Sequence, residues 1–193
     1  MIAVNGAELY HEVRCEGPSV LLIMGMTGDA GHFETLAGLL ADEFTVVSYD
    51  RRGNGRSPRP AGWATTSLAE QADDAAALLA ALSLSPAAVY GSSAGANFAL
   101  RLVLRHPEAV RGVVLHETVL VRLFDDPEAR GSVTALVEEG MKAGGPPVAI
   151  ERLWRHVAGD DNWERLPHDL RQRMRLSAET LLRRAGKLRG VLA

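Results

Sequence analysis

A chain of 193 residues fits one ordinary domain with a small addition and is too short for two full domains. Its 47% hydrophobic and 23% charged residues exclude an intrinsically disordered chain, and a net charge of −3 without a long Lys/Arg run gives no signature of nucleic-acid binding. The single cysteine, Cys15, excludes an internal disulfide. The sequence also shows no leader-like or membrane-spanning apolar stretch. Together these features predict a cytoplasmic protein that has neither nucleic acid nor a membrane as its partner.

The first half of the chain alternates short aliphatic runs with helical patterns. Asn5-Gly6 has the chemistry of a tight turn and predicts a hairpin between residues 2–4 and 7–13. Buried-strand runs follow at residues 20–23, 45–49, 87–90 and 113–115. The order predicts an α/β fold in which helices flank a mostly parallel sheet.

Two helices between these strands are well delimited. The first begins at Ser67, where Ser67 and Glu70 have the spacing of a capping box. The second extends from about Ser93 to His106, because Pro107 cannot continue a helix.

The pattern changes after Val119. Strand-like runs disappear, and helical patterns separated by glycine-containing loops take their place. We therefore predict a core over residues 1–119 and a helical, cap-like segment over residues 120–193.

The segment Gly91-Ser92-Ser93-Ala94-Gly95 matches G-x-S-x-G between a strand and a helix. A serine hydroxyl is a poor nucleophile unless it is held exposed before a base and an oxyanion site, and a strained turn with small neighbours holds it so. This context predicts that Ser93 is a nucleophile. The alternative is a glycine-rich turn without chemistry.

A second loop follows the strand at residues 20–23. In Met24-Gly25-Met26-Thr27-Gly28, small residues allow backbone N–H groups to approach a ligand. We predict that the Met26 and Ala94 amides form an oxyanion hole, with Gly25 beside them. The alternative is an ordinary strand-to-helix loop.

No cofactor or metal is expected. Gly53 and Gly55 begin a dinucleotide-binding fingerprint, but Pro58 occupies the place of its last glycine, so a nucleotide site is not predicted. Asp160-Asp161 and His11-Glu12 lack metal-ligand spacing.

Together, the loops at residues 24–28, 50–57 and 91–95 and the segment ArgHisProGlu before a further strand resemble the α/β-hydrolase superfamily over roughly residues 9–119. The remaining residues are similar to the start of the helical cap that such proteins insert after their sixth strand. The resemblance implies a six-stranded core and a serine hydrolase of small carboxylic esters, lactones or related acyl compounds, acting through an acyl-enzyme on Ser93. Met24 is a departure, because many members carry His there.

The resemblance also implies where the triad acid and histidine belong. Family members supply them after a seventh and an eighth strand, whereas this sequence ends at Ala193 within the cap-like segment, so we expect both to be missing from it. If only the order nucleophile, acid, histidine along the chain is considered, a triad could consist of Ser93, Glu117 and either His156 or His168. Order alone does not define a triad, since its members are recognised by geometry.

Two further interpretations remain open: a non-catalytic binding or interaction protein on this fold, and a cofactor-free lyase or peroxidase that uses the same serine turn. The run of residues 110–121 contains Val113, Val114 and Leu115 without proline or lysine. Such an edge strand seeks a partner. We therefore expect pairing through this strand, either in a homodimer or with a further C-terminal segment.

Overall fold

The structure is a computed structural model that describes residues 1–63, 66–119 and 127–182. The chain divides into two compact units, Met1–Val119 and Leu120–Ala193. The strands of the described residues all belong to the first unit, and the described part of the second unit is helical.

The first unit is built on a mostly parallel sheet flanked by helices, as the sequence predicts. The strands are β1 (Ile2–Val4), β2 (Ala7–Leu9), β3 (His11–Arg14), β4 (Ser19–Ile23), β5 (Thr45–Tyr49), β6 (Ala87–Ser92) and β7 (Val110–His116). Five of them form the main sheet in the order β3-β5-β4-β6-β7, and β3 alone is antiparallel to its neighbour. The helices are α1 (Glu34–Leu40), α2 (Leu68–Ala81) and α3 (Ala94–Arg105), with short 3-10 turns at Ala30–Phe33 and Pro107–Ala109.

The predicted hairpin at Asn5-Gly6 is present but forms its own small sheet. Both turn residues have positive φ, 46° and 73°, which is why this pair fits the turn. The second strand ends at Leu9, and Tyr10 leaves the ladder: its amide donates to Ser57 Oγ at 2.9 Å. The expectation of six strands in one sheet is therefore corrected to five strands plus a separate two-stranded hairpin.

The central strands β4 and β5 are buried on both faces of the sheet. Leu21, Ile23 and Val47 belong to a core cluster with residues of α2 and α3, while Leu22 and Val46 pack in another cluster with residues of α1. Because neighbouring residues of a strand point to opposite faces, β4 and β5 are apolar without interruption. Their carboxyl ends lie at the edge of the sheet where the candidate loops begin.

The boundaries of α2 and α3 agree with the sequence prediction, with one difference. Ser67 Oγ accepts from the Glu70 amide at 3.1 Å, which caps α2. The Glu70 carboxylate instead accepts from Trp63 Nε1 at 3.0 Å and lies 3.4 Å from Arg52, so only one half of the predicted capping box is present. Helix α3 ends at Arg105, before Pro107.

Strand β7 lies at the edge of the described sheet, where its one neighbour is β6. Its side chains are exposed: 38% for Val113, 59% for Val114 and 37% for Leu115. The strand ends at His116, and residues 120 and 121 of the predicted run lie outside the described residues.

The second unit contains α4 (Pro127–Gly144), α5 (Pro146–Ala158), α6 (Asp160–Arg165) and α7 (His168–Leu182). Trp163 is fully buried there with Leu170 and Met174. Glu151 joins α5 to α7 through hydrogen bonds from Arg175 at 2.7 and 3.0 Å. None of the helices in the described ranges combines the length and apolar character that a membrane span requires.

Candidate active site

Ser93 makes the turn between β6 and α3 by itself. Its backbone angles, φ 56° and ψ −128°, are strained for a residue with a side chain and cost on the order of 1–3 kcal/mol. Two hydrogen bonds hold this conformation: the Ser93 amide donates to the His116 carbonyl at 2.8 Å, and the Ser93 carbonyl accepts from the Ala96 amide at 2.9 Å. The half-buried serine stands at the N-terminus of α3, as the G-x-S-x-G pattern predicts.

Glycines on both sides of Ser93 allow the turn. A Cβ on Gly91 would lie 2.7 Å from the Ala96 Cα, and a Cβ on Gly95 would overlap the carbonyl oxygen of Ile23 at the end of β4. Real Cβ atoms do not approach backbone this closely, so the two positions require glycine. The requirement explains the small residues of the motif in steric terms.

The loop after β4 lies directly against the start of α3. A Cβ on Gly25 would lie 2.7 Å from the Ala94 nitrogen and 2.9 Å from the Gly95 nitrogen. Gly28 donates to the Gly25 carbonyl at 2.9 Å, which closes a tight turn in which Met26 has a positive φ of 39°. Among the described residues, no hydrogen bond uses the Met26 or Ala94 amide. The structure therefore brings Gly25 and its neighbour Met26 close to Ala94 at the serine turn.

Arg51 binds this loop from the side of β5. Its Nε donates to the Met24 carbonyl at 2.8 Å, its Nη2 donates to the Met26 carbonyl, and its guanidinium carbon lies 4.7 Å from the centre of the Phe98 ring in α3. Asn54 Nδ2 donates to the same Met26 carbonyl at 2.8 Å. Burial lowers the pKa of Arg51 to about 10, so its side chain stays charged at neutral pH.

Sequence reasoning missed Arg51 and Asn54 because it weighed the loop at residues 50–57 for its glycines. A signal was available in Arg51-Arg52, two arginines that begin one residue after a buried strand. Such arginines must find partners inside the fold. Arg52 pairs with Asp74 at 2.6 Å, and Arg51 binds backbone carbonyls.

The rest of the same loop is held by Asp50. Its carboxylate accepts from the Ala30 amide at 2.9 Å and from the Arg56 amide and guanidinium at 2.7 Å. Asp50 is fully buried, so these bonds replace the water that a carboxylate needs. A Cβ on Gly55 would overlap the Asp50 carboxylate, so this glycine leaves room for the hydrogen-bond network of Asp50.

Of the residues that meet the order of a triad, Glu117 belongs to the same unit as Ser93, and His156 and His168 belong to the second unit. Within residues 1–63, 66–119 and 127–182, no hydrogen bond joins the Ser93 hydroxyl to a histidine side chain. Glu117 is exposed with φ 51°, and His156 and His168 belong to α5 and α7 of the second unit. His116 lies with its Nδ1 3.5 Å from the hydroxyl of Ser92, the neighbour of the candidate nucleophile.

The same described ranges contain no group of three or more His, Cys, Asp or Glu side chains that could hold a metal ion. The residues that converge at the carboxyl ends of β4, β5 and β6 are thus a strained serine, two backbone amides and a buried cation. Such an arrangement can hold an attacking hydroxyl next to donors for a developing negative charge.

Comparison with known proteins places this site in a family. The sequence profile described as "alpha/beta hydrolase fold" matches residues 18–159. The chain belongs to the alpha/beta hydrolase fold family. The matched residues include the serine turn, the loop that carries Met26 and the loop that carries Arg51.

Individual relatives are hydrolases by name. The chain is 41% identical over 129 residues to the uncharacterized hydrolase YraK of Bacillus subtilis (strain 168), a match covering 67% of this chain and 48% of YraK. A thermophilic esterase from Thermogutta terrifontis has a similar structure, with a TM-score of 0.68 and 25% identity over 91% of this chain and 67% of the esterase. Est816, named as an N-acyl homoserine lactone degrading enzyme, matches with a TM-score of 0.62 and 25% identity over 82% of this chain and 66% of Est816. The chain spans about half the length of the curated relatives that it matches.

Proposed function

We propose that this chain carries the nucleophile and the oxyanion hole of a serine hydrolase acting on small carboxylic esters, lactones or related acyl compounds. The observation that carries the proposal is the strained conformation of Ser93, alone between β6 and α3, with the backbone of Gly25 packed against the Ala94 nitrogen. The names of the similar esterase and lactone-degrading enzyme support the substrate class.

In the proposed reaction, Ser93 Oγ attacks the carbonyl carbon of the substrate. The carbonyl oxygen becomes an oxyanion, which accepts hydrogen bonds from the Met26 and Ala94 amides. Collapse of this intermediate breaks the bond to the leaving alcohol and leaves an acyl-enzyme on Ser93, which water then hydrolyses. A histidine that we do not assign to a residue takes the serine proton and passes it to the leaving alcohol.

The position of the serine at the start of α3 favours this chemistry. The peptide dipoles of this 12-residue helix place partial positive charge at its N-terminus, where negative charge develops in the reaction. Arg51 adds a buried positive charge, because its guanidinium binds the loop that carries Met26. Both effects stabilise the oxyanion more than the neutral substrate.

We further propose, from the family resemblance, that residues 120–193 form a cap-like segment and that the acyl substrate is the small-molecule partner. Cys15 is free and exposed, which favours a reducing compartment and thus the cytoplasm. The exposed valines of β7 favour pairing through this strand, either with a second copy of the chain or with a further C-terminal segment.

A fluorophosphonate probe tests the nucleophile directly, because it phosphonylates a serine hydroxyl that has oxyanion donors beside it. We expect peptide mapping to find the label on Ser93 and Ser93→Ala to abolish it. Ser92→Ala is the matched control, since Ser92 is the adjacent serine and belongs to β6. Labelling at Ser92, or none at Ser93 under forcing conditions, would refute the nucleophile assignment.

The same protein also distinguishes the other two interpretations. Turnover of p-nitrophenyl acetate that disappears in Ser93→Ala supports hydrolysis. Saturable binding of an acyl compound with no label on Ser93 would favour a non-catalytic binding protein, and a cofactor-free lyase or peroxidase would convert its substrate without an acyl-enzyme.

A further inference from the structure

We propose that Arg51, assisted by Asn54, is a positioning residue that fixes the peptide between Gly25 and Met26 for its part in the oxyanion hole. This inference rests on the proposed function, because it assigns a task to residues that act through the Met26 amide.

Three successive carbonyls of the loop are each bound. Arg51 Nε holds the Met24 carbonyl at 2.8 Å, Arg51 Nη2 holds the Met26 carbonyl, and the Gly28 amide holds the Gly25 carbonyl at 2.9 Å. The Gly25 carbonyl and the Met26 amide share one planar peptide and point in opposite directions. When the carbonyls of Met24, Gly25 and Met26 are all held in place, the direction of the Met26 N–H is therefore fixed as well.

A guanidinium is suited to this task. Its nitrogens lie in a rigid plane, so one side chain can donate to two carbonyls at a set spacing, which the single ammonium of lysine does not reproduce. The contact with the Phe98 ring at 4.7 Å ties the same side chain to α3. Arg51 thus connects the Met26 loop to the helix that begins next to Ser93.

The environment of Arg51 argues against a purely stabilising role. It is 4% exposed, and no ion pair to a carboxylate is formed by Arg51 in the described part of the chain. Burying a cation is costly when its hydrogen bonds go to neutral carbonyls and the nearest carboxylate, Asp50, acts on it only through space. The similarly buried Arg52 is instead paired directly with Asp74 at 2.6 Å. This unfavourable burial is explained if Arg51 orients the loop that carries Met26.

Asn54 supports the same carbonyl. Its Nδ2 donates to the Met26 carbonyl at 2.8 Å, and its side chain is also buried. Met26 has a positive φ of 39°, which a residue with a side chain keeps only when its surroundings hold it there. Two donors on one carbonyl provide that restraint.

The test compares Arg51→Lys with Arg52→Lys in the full chain. Both variants keep the charge of a buried arginine, but only Arg51 contacts the Met26 loop. The measurement is the rate at which a fluorophosphonate labels Ser93 as a function of probe concentration, taken below the melting temperature of each variant. We expect Arg51→Lys to lower the maximal rate constant about tenfold or more, with the half-saturating probe concentration nearly unchanged, because a displaced donor weakens only the charged transition state. Arg52→Lys should stay within about twofold of the wild type.

Asn54→Ala decides the matter if Arg51→Lys does not fold, as judged by circular dichroism. It leaves Arg51 in place and removes one donor from the Met26 carbonyl, so we expect labelling to slow about threefold to tenfold. Equal rates for wild type and Asn54→Ala in that case, or equal rates for Arg51→Lys and Arg52→Lys, would overturn the inference while leaving the proposed function intact. Absence of label on wild-type Ser93 would instead remove the proposed function and this inference together.

Discussion

Gly25 offers a direct test of the contact between the Met26 loop and the serine turn. Its φ is outside the left-handed region, so alanine can adopt its backbone conformation, and the cost of Gly25→Ala comes from the added Cβ alone. That atom would lie 2.7 Å from the Ala94 nitrogen and 2.9 Å from both the Gly95 nitrogen and the Ser92 carbonyl oxygen. All three neighbours are backbone and cannot rotate away.

The size of the effect follows from these distances. The Cβ must move by roughly 0.7 Å to reach an ordinary contact of about 3.4 Å, and either the loop or the start of α3 must shift to allow it. Overpacking of this kind costs on the order of 1–3 kcal/mol of stability. A shift above ~0.5 Å also exceeds the tolerance of a preorganised site, so we expect the labelling rate of Ser93 to fall about tenfold to hundredfold.

Gly38→Ala is the matched control for this substitution. Gly38 is exposed within α1, and a Cβ there would have no atom within 4 Å. It should raise the free energy of unfolding by up to ~1 kcal/mol, because alanine is the better helix former, and leave the labelling rate unchanged. Chemical denaturation and fluorophosphonate labelling of both variants provide the measurement. A Gly25→Ala protein that is folded and labelled at the wild-type rate would show that the loop and the turn are not in the contact described.

Two other predictions concern the surface of the first unit. Arg105 and His106 hold the pKa of the Asp73 carboxyl below its usual value, so the stabilisation by this ion pair is present above the usual pKa of about 3.8 and is lost as the pH falls through the lower, folded-state pKa. Asp73→Asn should therefore lower the free energy of unfolding by about 0.2–1 kcal/mol at pH 6, and by less as the pH is lowered. If wild type and variant differ in this free energy by the same amount at pH 2.5 as at pH 6, the ion pair is not the cause. Val114→Lys places a charge on the exposed strand β7, so we expect light scattering to give the variant the mass of a monomer. If the wild type is also a monomer, the chain does not pair through this strand.

The architecture of the first unit was accessible from sequence because its local signals agree. The continuous apolar runs that became β4 and β5 predict strands buried on both faces, and Asn5-Gly6 predicts a turn that only residues tolerant of positive φ can make. The separation of the hairpin from the main sheet was not accessible. At the break between the two strands, Tyr10 hydrogen-bonds to Ser57 and Asp50, which are far from it in the chain.

The candidate site was only partly accessible for the same reason. Ser93 and its small neighbours form a local pattern, so the strained turn could be placed to the residue. Arg51 and Asn54 act on carbonyls at Met24 and Met26, and no local pattern reports a contact between a side chain and a distant backbone atom. The proposed function also needs a proton-accepting histidine, and the order of residues in the chain does not determine which residue supplies it.

At Ser93, the residue that the backbone conformation favours differs from the residue that the proposed function requires. Glycine adopts backbone angles near φ 56° and ψ −128° at a lower cost than serine, so Gly is the residue that thermal stability alone would select at this position. The protein instead carries a residue with a side chain in this strained conformation, which hydrogen bonds to the backbone of His116 and Ala96 hold in place. When this chain is engineered for thermal stability, position 93 should therefore be left unchanged, because the stabilising substitution Ser93→Gly also removes the hydroxyl.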